Sequence, residues 1–223
     1  MGAALADIRY FKKGRPEKGA LQSVHMTSYD KADTLMGAVL APLDSTRSIG
    51  LVFVFSLFIA ASAQFAINIG PIPITGQTFA VLLTGALLGS RLGAAAVIAY
   101  LIEGAIGLPF FAGGGGGLIR FIGPTGGYLV AFPAAAYITG AFAEHGWDKR
   151  YPTAVAAMAI GSAVVFLGGW SWFSVVTNTP LVPAFKIAVL PYLPGDVVKI
   201  ALAAAVLPTG WALLKRKASE EKR

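Results

Sequence analysis

GAIGLPFFAGGGGGLIRFIGPTGGY, residues 104–128, is the stretch around which this sequence is organised. Its five consecutive glycines, Gly113 to Gly117, have no preference for helix or strand, because glycine loses the most backbone freedom on ordering. Long loops inside compact proteins are usually functional or disordered, and disorder fits poorly with so much apolar surface. The apolar side chains are Phe110, Phe111, Leu118, Ile119, Phe121 and Ile122. Since Arg120 is the one charge present, we predict a lid or wall of a binding site.

The composition of the chain is that of an integral membrane protein. Its 223 residues are 56% hydrophobic and 13% charged, against about 25% charged residues in soluble domains. Several apolar runs of about 18 residues follow one another, as membrane helices require. The chain has no cysteine and two distant histidines, His25 and His145, which argues against disulfides and zinc sites. We therefore predict an all-α integral membrane protein that needs no metal or cofactor.

Six apolar segments are predicted to be transmembrane helices. They cover residues 49–67, 77–88, 92–106, 126–143, 152–176 and 196–214. The second is short for a full crossing, so it either extends back into the preceding loop or enters the bilayer only partway. Pro133 is expected to interrupt the fourth, because proline removes a helical hydrogen bond. In the first, Ser56/Ala60 and Ser62/Ala66 have the spacing that lets a partner helix approach closely, although small residues are also common in membrane helices generally.

The distribution of basic residues orients these helices. With the N-terminus inside, the four inner segments hold seven, one, two and five of the 18 Lys and Arg residues. Basic residues favour the cytoplasmic side, so we predict a multi-pass protein of the inner (cytoplasmic) membrane with both termini in the cytoplasm. The glycine-rich stretch then lies outside, together with the loop 68–76 and the linker 177–194. All three are apolar and rich in proline or glycine, so we expect them to cover a substrate pocket.

The first and last predicted transmembrane helices divide the chain into three parts. Residues 1–48 are charged and lack the apolar core of a signal peptide. We expect a cytoplasmic N-terminal extension, either partly disordered or with a surface helix at residues 34–43. Residues 49–214 are the six-helix transmembrane domain, and residues 215–223 are a basic cytoplasmic tail. The sequence leaves open whether Met26 is the true start.

Charged side chains within membrane helices are the first candidates for a binding site, because each costs about 2.5–3.5 kcal/mol to insert. Asp196 and Lys199 are three apart, on one helical face where they can pair; the structural alternative is that Asp196 caps its helix. Glu103 either contacts a ligand, pairs with Arg120 or extends to the membrane surface. Arg120 suits a planar carboxylate, unless it anchors the loop at the headgroups. The predicted topology allows all four to converge on the outer side.

Uncharged residues complete the predicted site. Gln77, at the outer end of the second helix, can both donate to and accept from a urea-like group, unless it is only a polar helix end. Aromatic side chains either form walls around an apolar ligand or a belt at the membrane interface: Phe110, Phe111, Tyr128, Trp170 and Trp172. Gly115 and its neighbours let the backbone approach a ligand closely. The glycine run is not a phosphate loop, since no strand precedes it and no GK[ST] follows.

Four motifs resemble those of the BioY family, which supplies the biotin-binding subunits of energy-coupling factor (ECF) transporters. They are PIPITGQTFAVLLTGALLGSRLGA (71–94), EGAIGLPFFAGGGGG (103–117), GPTGGYLVAFP (123–133) and LPGDVVK (193–199). The resemblance extends from about residue 50 to residue 214 and leaves 1–48 uncovered. It implies a six-helix substrate-specific (S) component that captures biotin with high affinity and performs no catalysis. It also implies a transmembrane coupling (T) subunit and two ABC ATPases as partners, in a lipid bilayer and without nucleic acid.

For the site, the resemblance implies that Asp196 and Lys199 contact biotin. The ureido group needs donors and acceptors, which Asp196 and Gln77 offer. The carboxylate needs a cation, which either Arg120 or Lys199 offers. The loop contact to the ureido group stays unidentified, because Gly113 to Gly117 carry no side chain. It also stays open whether the subunit works with the coupling subunit and the two ABC ATPases or without them. In the latter case it could act as a homo-oligomer.

Three other functions are weighed against this one. An S component for another small vitamin has the same architecture. A membrane-embedded enzyme is disfavoured, because the sequence contains no Ser-His-Asp set, HExxH motif or paired carboxylates. A structural scaffold is disfavoured by the charges expected at the outer face.

Overall fold

The computed structural model describes residues 33–40, 44–68 and 70–220, and these residues are mostly helical. The helices are α1 (Leu35–Leu40), α2 (Ser45–Gln64), α3 (Gln77–Leu88), α4 (Ser90–Ala105), α5 (Ile119–Ile122), α6 (Gly126–Glu144), α7 (Tyr151–Val176), α8 (Leu181–Ala188) and α9 (Leu193–Glu220). Two short strands, β1 (Ala66–Asn68) and β2 (Pro73–Thr75), pair antiparallel. The expectations for residues 1–32, including a start at Met26, lie outside the described residues.

The predicted all-α membrane fold is confirmed, and each of the six predicted segments coincides largely with one helix, from the 12 residues of α3 to the 28 of α9. The number of complete crossings is confirmed only in part. Within the described ranges, four stretches are long and apolar enough to cross a membrane: Ser45–Gln64, Gly126–Glu144, Tyr151–Val176 and Leu181–Lys217. With 12 residues, α3 rises only about 18 Å, which is less than the roughly 30 Å of a hydrocarbon core.

The short helix α3 lies at the centre of the bundle. Ten of its twelve residues are buried, and it packs against α2, α4, α6, α7 and α9. Glycines allow these close approaches: a Cβ on Gly85 would lie 2.3 Å from the carbonyl oxygen of Ala136 in α6. Because protein surrounds α3, its backbone is shielded from lipid without a full crossing.

The first long helix, α2, begins earlier than predicted and turns its small residues inward. Asp44 caps it by accepting the N–H of Arg47 at 2.8 Å. Ser56 and Ala60 are buried, at 0% and 5% exposure, and α2 packs on α4. The close approach that their spacing predicts therefore occurs within the chain. The Ser62/Ala66 pair is not helical, because Ala66 belongs to β1.

The expected break at Pro133 was wrong, because α6 runs without interruption from Gly126 to Glu144. Proline removes one helical hydrogen bond, but neighbouring helices often offset that loss in membrane proteins. Here α6 packs closely against α3, α4 and α7. Within the predicted range 34–43, the described residues form the helix α1, whose Leu35 and Ala38 are buried against the bundle. Its location at the membrane surface stays a prediction, and residues 41–43 lie outside the described residues.

The three predicted outer connections carry secondary structure that their proline and glycine content did not predict. The first forms the β1–β2 hairpin, in which Ala66 pairs with Thr75. The glycine-rich stretch makes an isolated bridge between Phe111 and Gly115 and then continues into α5. The linker 177–194 contains α8 and a single turn at Leu190–Tyr192. All three connections contribute residues to one cavity.

Candidate functional site

A cavity of about 720 Å³ lies beneath these connections. Sites for small-molecule ligands usually measure about 300–1,000 Å³. Its walls come from α3, α6, α7 and α9, and from the hairpin, the glycine-rich stretch and the α8–α9 turn. Six of the eight predicted site residues line it: Gln77, Phe111, Arg120, Tyr128, Asp196 and Lys199.

Asp196 is the buried carboxylate of the cavity. It lies in the first turn of α9, which begins at Leu193, so it is inside the helix and does not cap it. Its side chain is 6% exposed and accepts a hydrogen bond from Ser162 of α7. The helix N-terminus stabilises negative charge at this position. Because Asp196 also lines the cavity, its carboxylate can accept a further hydrogen bond from a ligand.

Lys199 lies one helical turn beyond Asp196 but contacts a different neighbour. Its Nζ donates to the hydroxyl of Thr78 in α3 at 3.0 Å. Among the described residues, no ion pair within 4.0 Å joins Lys199 to Asp196, so the predicted direct pairing is absent. The reason is that Lys199 faces Thr78 of α3, whereas Asp196 faces Ser162 of α7. An ammonium group has three donors, which leaves Lys199 able to bind an acceptor in the cavity.

Gln77 begins α3 and is 5% exposed. Its Oε1 accepts from the hydroxyl of Thr75 at 3.1 Å, and its Nε2 donates to the hydroxyl of Tyr100. Tyr100 is fully buried and in turn donates to the carbonyl of Phe110 at 3.4 Å. Gln77 therefore connects α3, α4 and the glycine-rich stretch as well as lining the cavity.

Arg120 in α5 is exposed and lines the cavity. Its guanidinium packs across Gly115, where a Cβ would lie 2.4 Å from Nη2. Gly115 itself is not among the cavity-lining residues. Its lack of a side chain instead makes room for Arg120, which can reach an anionic group of a ligand.

The aromatic candidates separate into two groups. Phe111 is 2% exposed and stands edge-on to Tyr100 and Phe121, with ring centroids 5.6 and 5.7 Å away. Tyr128 lines the cavity and donates to the carbonyl of Ala188. Phe110, Trp170 and Trp172 do not line it.

The two tryptophans of α7 instead form hydrogen bonds to two of the connections, the linker 177–194 and the glycine-rich stretch. Trp170 donates to the carbonyl of Leu181 at 2.9 Å, and Trp172 donates to the carbonyl of Gly123 at 3.0 Å. Sequence reasoning missed a similar tie, in which Tyr192 donates to the carbonyl of Ile72 at 2.8 Å and joins the α8–α9 turn to the hairpin.

Glu103 is not part of the cavity lining. Its Oε1 accepts from the hydroxyl of Ser56 in α2 at 3.2 Å. The structure therefore directs Glu103 towards the α2–α4 contact and not towards Arg120.

Comparisons with known proteins agree with this architecture. A model of the BioY family matches residues 30–216. A probable biotin transporter BioY of Pyrococcus horikoshii is 39% identical over 161 residues, covering 72% of this chain and 93% of that protein. The biotin transporter BioY of Rhizobium etli is 36% identical over 187 residues, covering 78% and 100%.

A solved structure, the S component for biotin from an ECF-type ABC transporter, superposes with a TM-score of 0.69 at 27% identity. The match covers 76% of this chain and 93% of that one. The family match begins at residue 30. Residues 30–48 therefore belong to the matched region, although the four motifs left them uncovered. The apolar helices of this chain, together with these matches, show that it is a multi-pass membrane protein. The chain belongs to the BioY family.

Proposed function

We propose that this protein is the S component of an ECF-type transporter, that it captures biotin in the cavity, and that it performs no catalysis of its own. The observation that carries the proposal is the arrangement of charges around the cavity. A buried carboxylate, Asp196, and two cationic groups, Lys199 and Arg120, line the same space from α9 and α5. That arrangement complements a ligand with N–H donors at one end and a carboxylate at the other. The names of the relatives from Pyrococcus horikoshii and Rhizobium etli support biotin as that ligand.

In this proposal the ureido ring lies near α9. Asp196 accepts a ureido N–H, and Lys199 donates to the ureido oxygen. Arg120 approaches from the glycine-rich stretch and takes the carboxylate, for which a guanidinium is well suited. Phe111 and Tyr128 form apolar walls for the bicyclic ring and the methylene chain. Gln77 supports the site and offers its second amide hydrogen.

The proposal also includes topology and partners. The cavity faces outward, and both termini lie in the cytoplasm, which the distribution of basic residues supports. The membrane is the inner (cytoplasmic) membrane. A transmembrane coupling subunit and two ABC ATPases supply the energy, consistent with the description of the structural relative as part of an ECF-type ABC transporter.

Calorimetric titration of the purified full chain with a panel of ligands tests the function. We expect tight binding of biotin and clearly weaker binding of biotin methyl ester, because the ester has no carboxylate for a cation. Binding of another vitamin in preference to biotin would favour an S component of different specificity. No binding of biotin by a folded wild-type protein would overturn the proposal.

A further inference from the structure

One side chain fastens the glycine-rich stretch to α2. Gln64 is the last residue of α2, and its Nε2 lies 3.3 and 3.4 Å from the carbonyl oxygens of Pro109 and Phe110. Its Oε1 accepts the N–H of Gly114 at 3.0 Å. Nε2 also donates to Ala60 of its own helix at 3.0 Å. A single amide therefore binds both arms of the turn at residues 109–115.

Phe111 anchors the start of this turn by packing against Tyr100 and Phe121, but the glycine tip at residues 113 and 114 has no side chain to pack. Phe111 and Gly115 exchange two backbone hydrogen bonds, at 2.8 and 3.2 Å, around residues 112–114. Gly113 and Gly114 have positive φ, at 66° and 71°, a region that glycine adopts without steric cost. A Cβ on either would meet no atom within 4 Å. Because even a methyl group at these two positions would find no packing partner, the hydrogen bond from Gly114 to Gln64 holds this part of the turn in place of side-chain packing.

The position of the turn bears directly on the cavity. Phe111, Ala112 and Gly113 line it, whereas Gln64 does not. Gln64 can therefore influence a ligand only through the turn that it holds.

We propose that Gln64 is a positioning residue that holds the turn at residues 109–115 over the cavity and thereby slows release of the bound ligand. The effect on biotin rests on the proposed function, whereas the effect on the turn does not.

Two substitutions separate the roles of the amide. Gln64→Met keeps the length of the side chain but removes both donor and acceptor. Gln64→Glu keeps an acceptor for Gly114 but loses the donor for Pro109 and Phe110. The matched control is Ser174→Ala, since Ser174 of α7 makes a similar side-chain bond, to the carbonyl of Thr179 at 2.7 Å, and neither of these two residues lines the cavity.

The first measurement is hydrogen exchange of the full chain without ligand. We expect the amides of residues 109–115 to exchange faster in Gln64→Met than in wild type, to an intermediate extent in Gln64→Glu, and as in wild type in Ser174→Ala. Unchanged exchange of this turn in Gln64→Met would overturn the proposal.

The second measurement is dissociation of labelled biotin. We expect dissociation to be about fivefold faster in Gln64→Met, the factor that corresponds to the typical net contribution of one hydrogen bond. Equal acceleration in Ser174→Ala would contradict the role of Gln64. If the wild type binds no biotin, the proposed function fails, and the exchange measurement still decides whether Gln64 holds the turn.

Discussion

The two ends of the helix bundle use buried carboxylates in different ways. At the cavity end, formed by residues 65–76, 106–125 and 177–192, Asp196 accepts from Ser162 and faces open space. At the opposite end, formed by Gly89 and residues 145–150, Asp148 is 1% exposed and accepts from the indole N–H of Trp211 at 2.6 Å. A buried carboxylate surrounded by protein, as in Asp148, thus links two parts of the fold. A buried carboxylate beside a cavity, as in Asp196, is available to a ligand.

Glycines show the same difference. At the opposite end, a Cβ on Gly140 would lie 2.5 Å from the backbone of Gly89 and Ser90, so glycine there permits tight helix packing. At the cavity end, Gly113 and Gly114 have open space around them, so glycine there leaves the backbone accessible. Tight packing at one end and open backbone at the other suit a protein that must admit and release a small molecule.

Substituting the two aspartates should give the largest difference between the ends. We expect Asp196→Ala to weaken biotin binding by about 100-fold or more, since hydrogen bonds to buried charged groups contribute about 1.5–3 kcal/mol each. Asp148→Asn should leave affinity within about twofold of wild type, because Asp148 does not line the cavity. Titration calorimetry measures both. Equal losses in the two variants would remove the distinction between the ends.

A methyl group at Gly140 should affect folding and spare binding. We expect Gly140→Ala to destabilise the protein by about 1–3 kcal/mol, the usual cost of overpacking, because backbone atoms of Gly89 and Ser90 cannot move aside easily. Thermal unfolding in detergent should show a lower midpoint, while the fraction that remains folded binds biotin normally. Gly50→Ala is the control, since a Cβ there meets nothing within 4 Å. A midpoint equal to that of this control would contradict the packing argument.

A methyl group at Gly115 should have the reverse effect. A Cβ there would lie 2.4 Å from Nη2 of Arg120, and the end of a long side chain can move at little cost to stability. We expect Gly115→Ala to leave the unfolding midpoint near wild type and to weaken biotin binding by about fivefold, since displacing a charge-assisted contact costs on the order of 1 kcal/mol. Unchanged affinity would mean that Arg120 does not bind the carboxylate from its present position.

The smallest expected effect is a pH dependence of stability due to Asp148. Burial raises the pKa of Asp148 above its usual value, partly offset by the hydrogen bond from Trp211 and the nearby Lys149. The folded state therefore binds this proton more readily than the unfolded state, and stability should fall as pH rises from the usual aspartate range through the raised pKa. Asp148→Asn should flatten that part of the curve of unfolding midpoint against pH. An identical slope in the variant would assign the dependence to other groups.

The sequence predicts the long helices well because apolar runs and their polar breaks are local properties. It also identifies Asp196 and Lys199 as candidates, because charge within an apolar helix stands out without any knowledge of neighbours. It does not predict the hairpin at 66–75 or α8, since the prolines there disfavour regular structure locally. Contacts such as the hydrogen bond from Tyr192 to Ile72 stabilise these connections from a distance.

The direction of a side chain is the part that local sequence reasoning cannot predict. Glu103 has the same signature as Asp196, a carboxylate in an apolar helix, yet it faces Ser56 of α2 and not the cavity. Gln64 and Tyr100 give no signal, because a polar helix end and a buried aromatic residue are common in any bundle. Gln64 acts through hydrogen bonds to residues 45 to 50 positions away, at Pro109, Phe110 and Gly114. Tyr100 acts through hydrogen bonds with Gln77 and Phe110, 23 and 10 positions away.

Hydrogen exchange of the full wild-type chain with and without biotin tests the central claim most directly. We expect biotin to slow exchange at the cavity end, in residues 70–78, 109–128 and 192–199, and to leave residues 144–154 at the opposite end unchanged. Protection confined to the opposite end, or no protection anywhere in a folded protein, would contradict the assignment of the cavity as the biotin site.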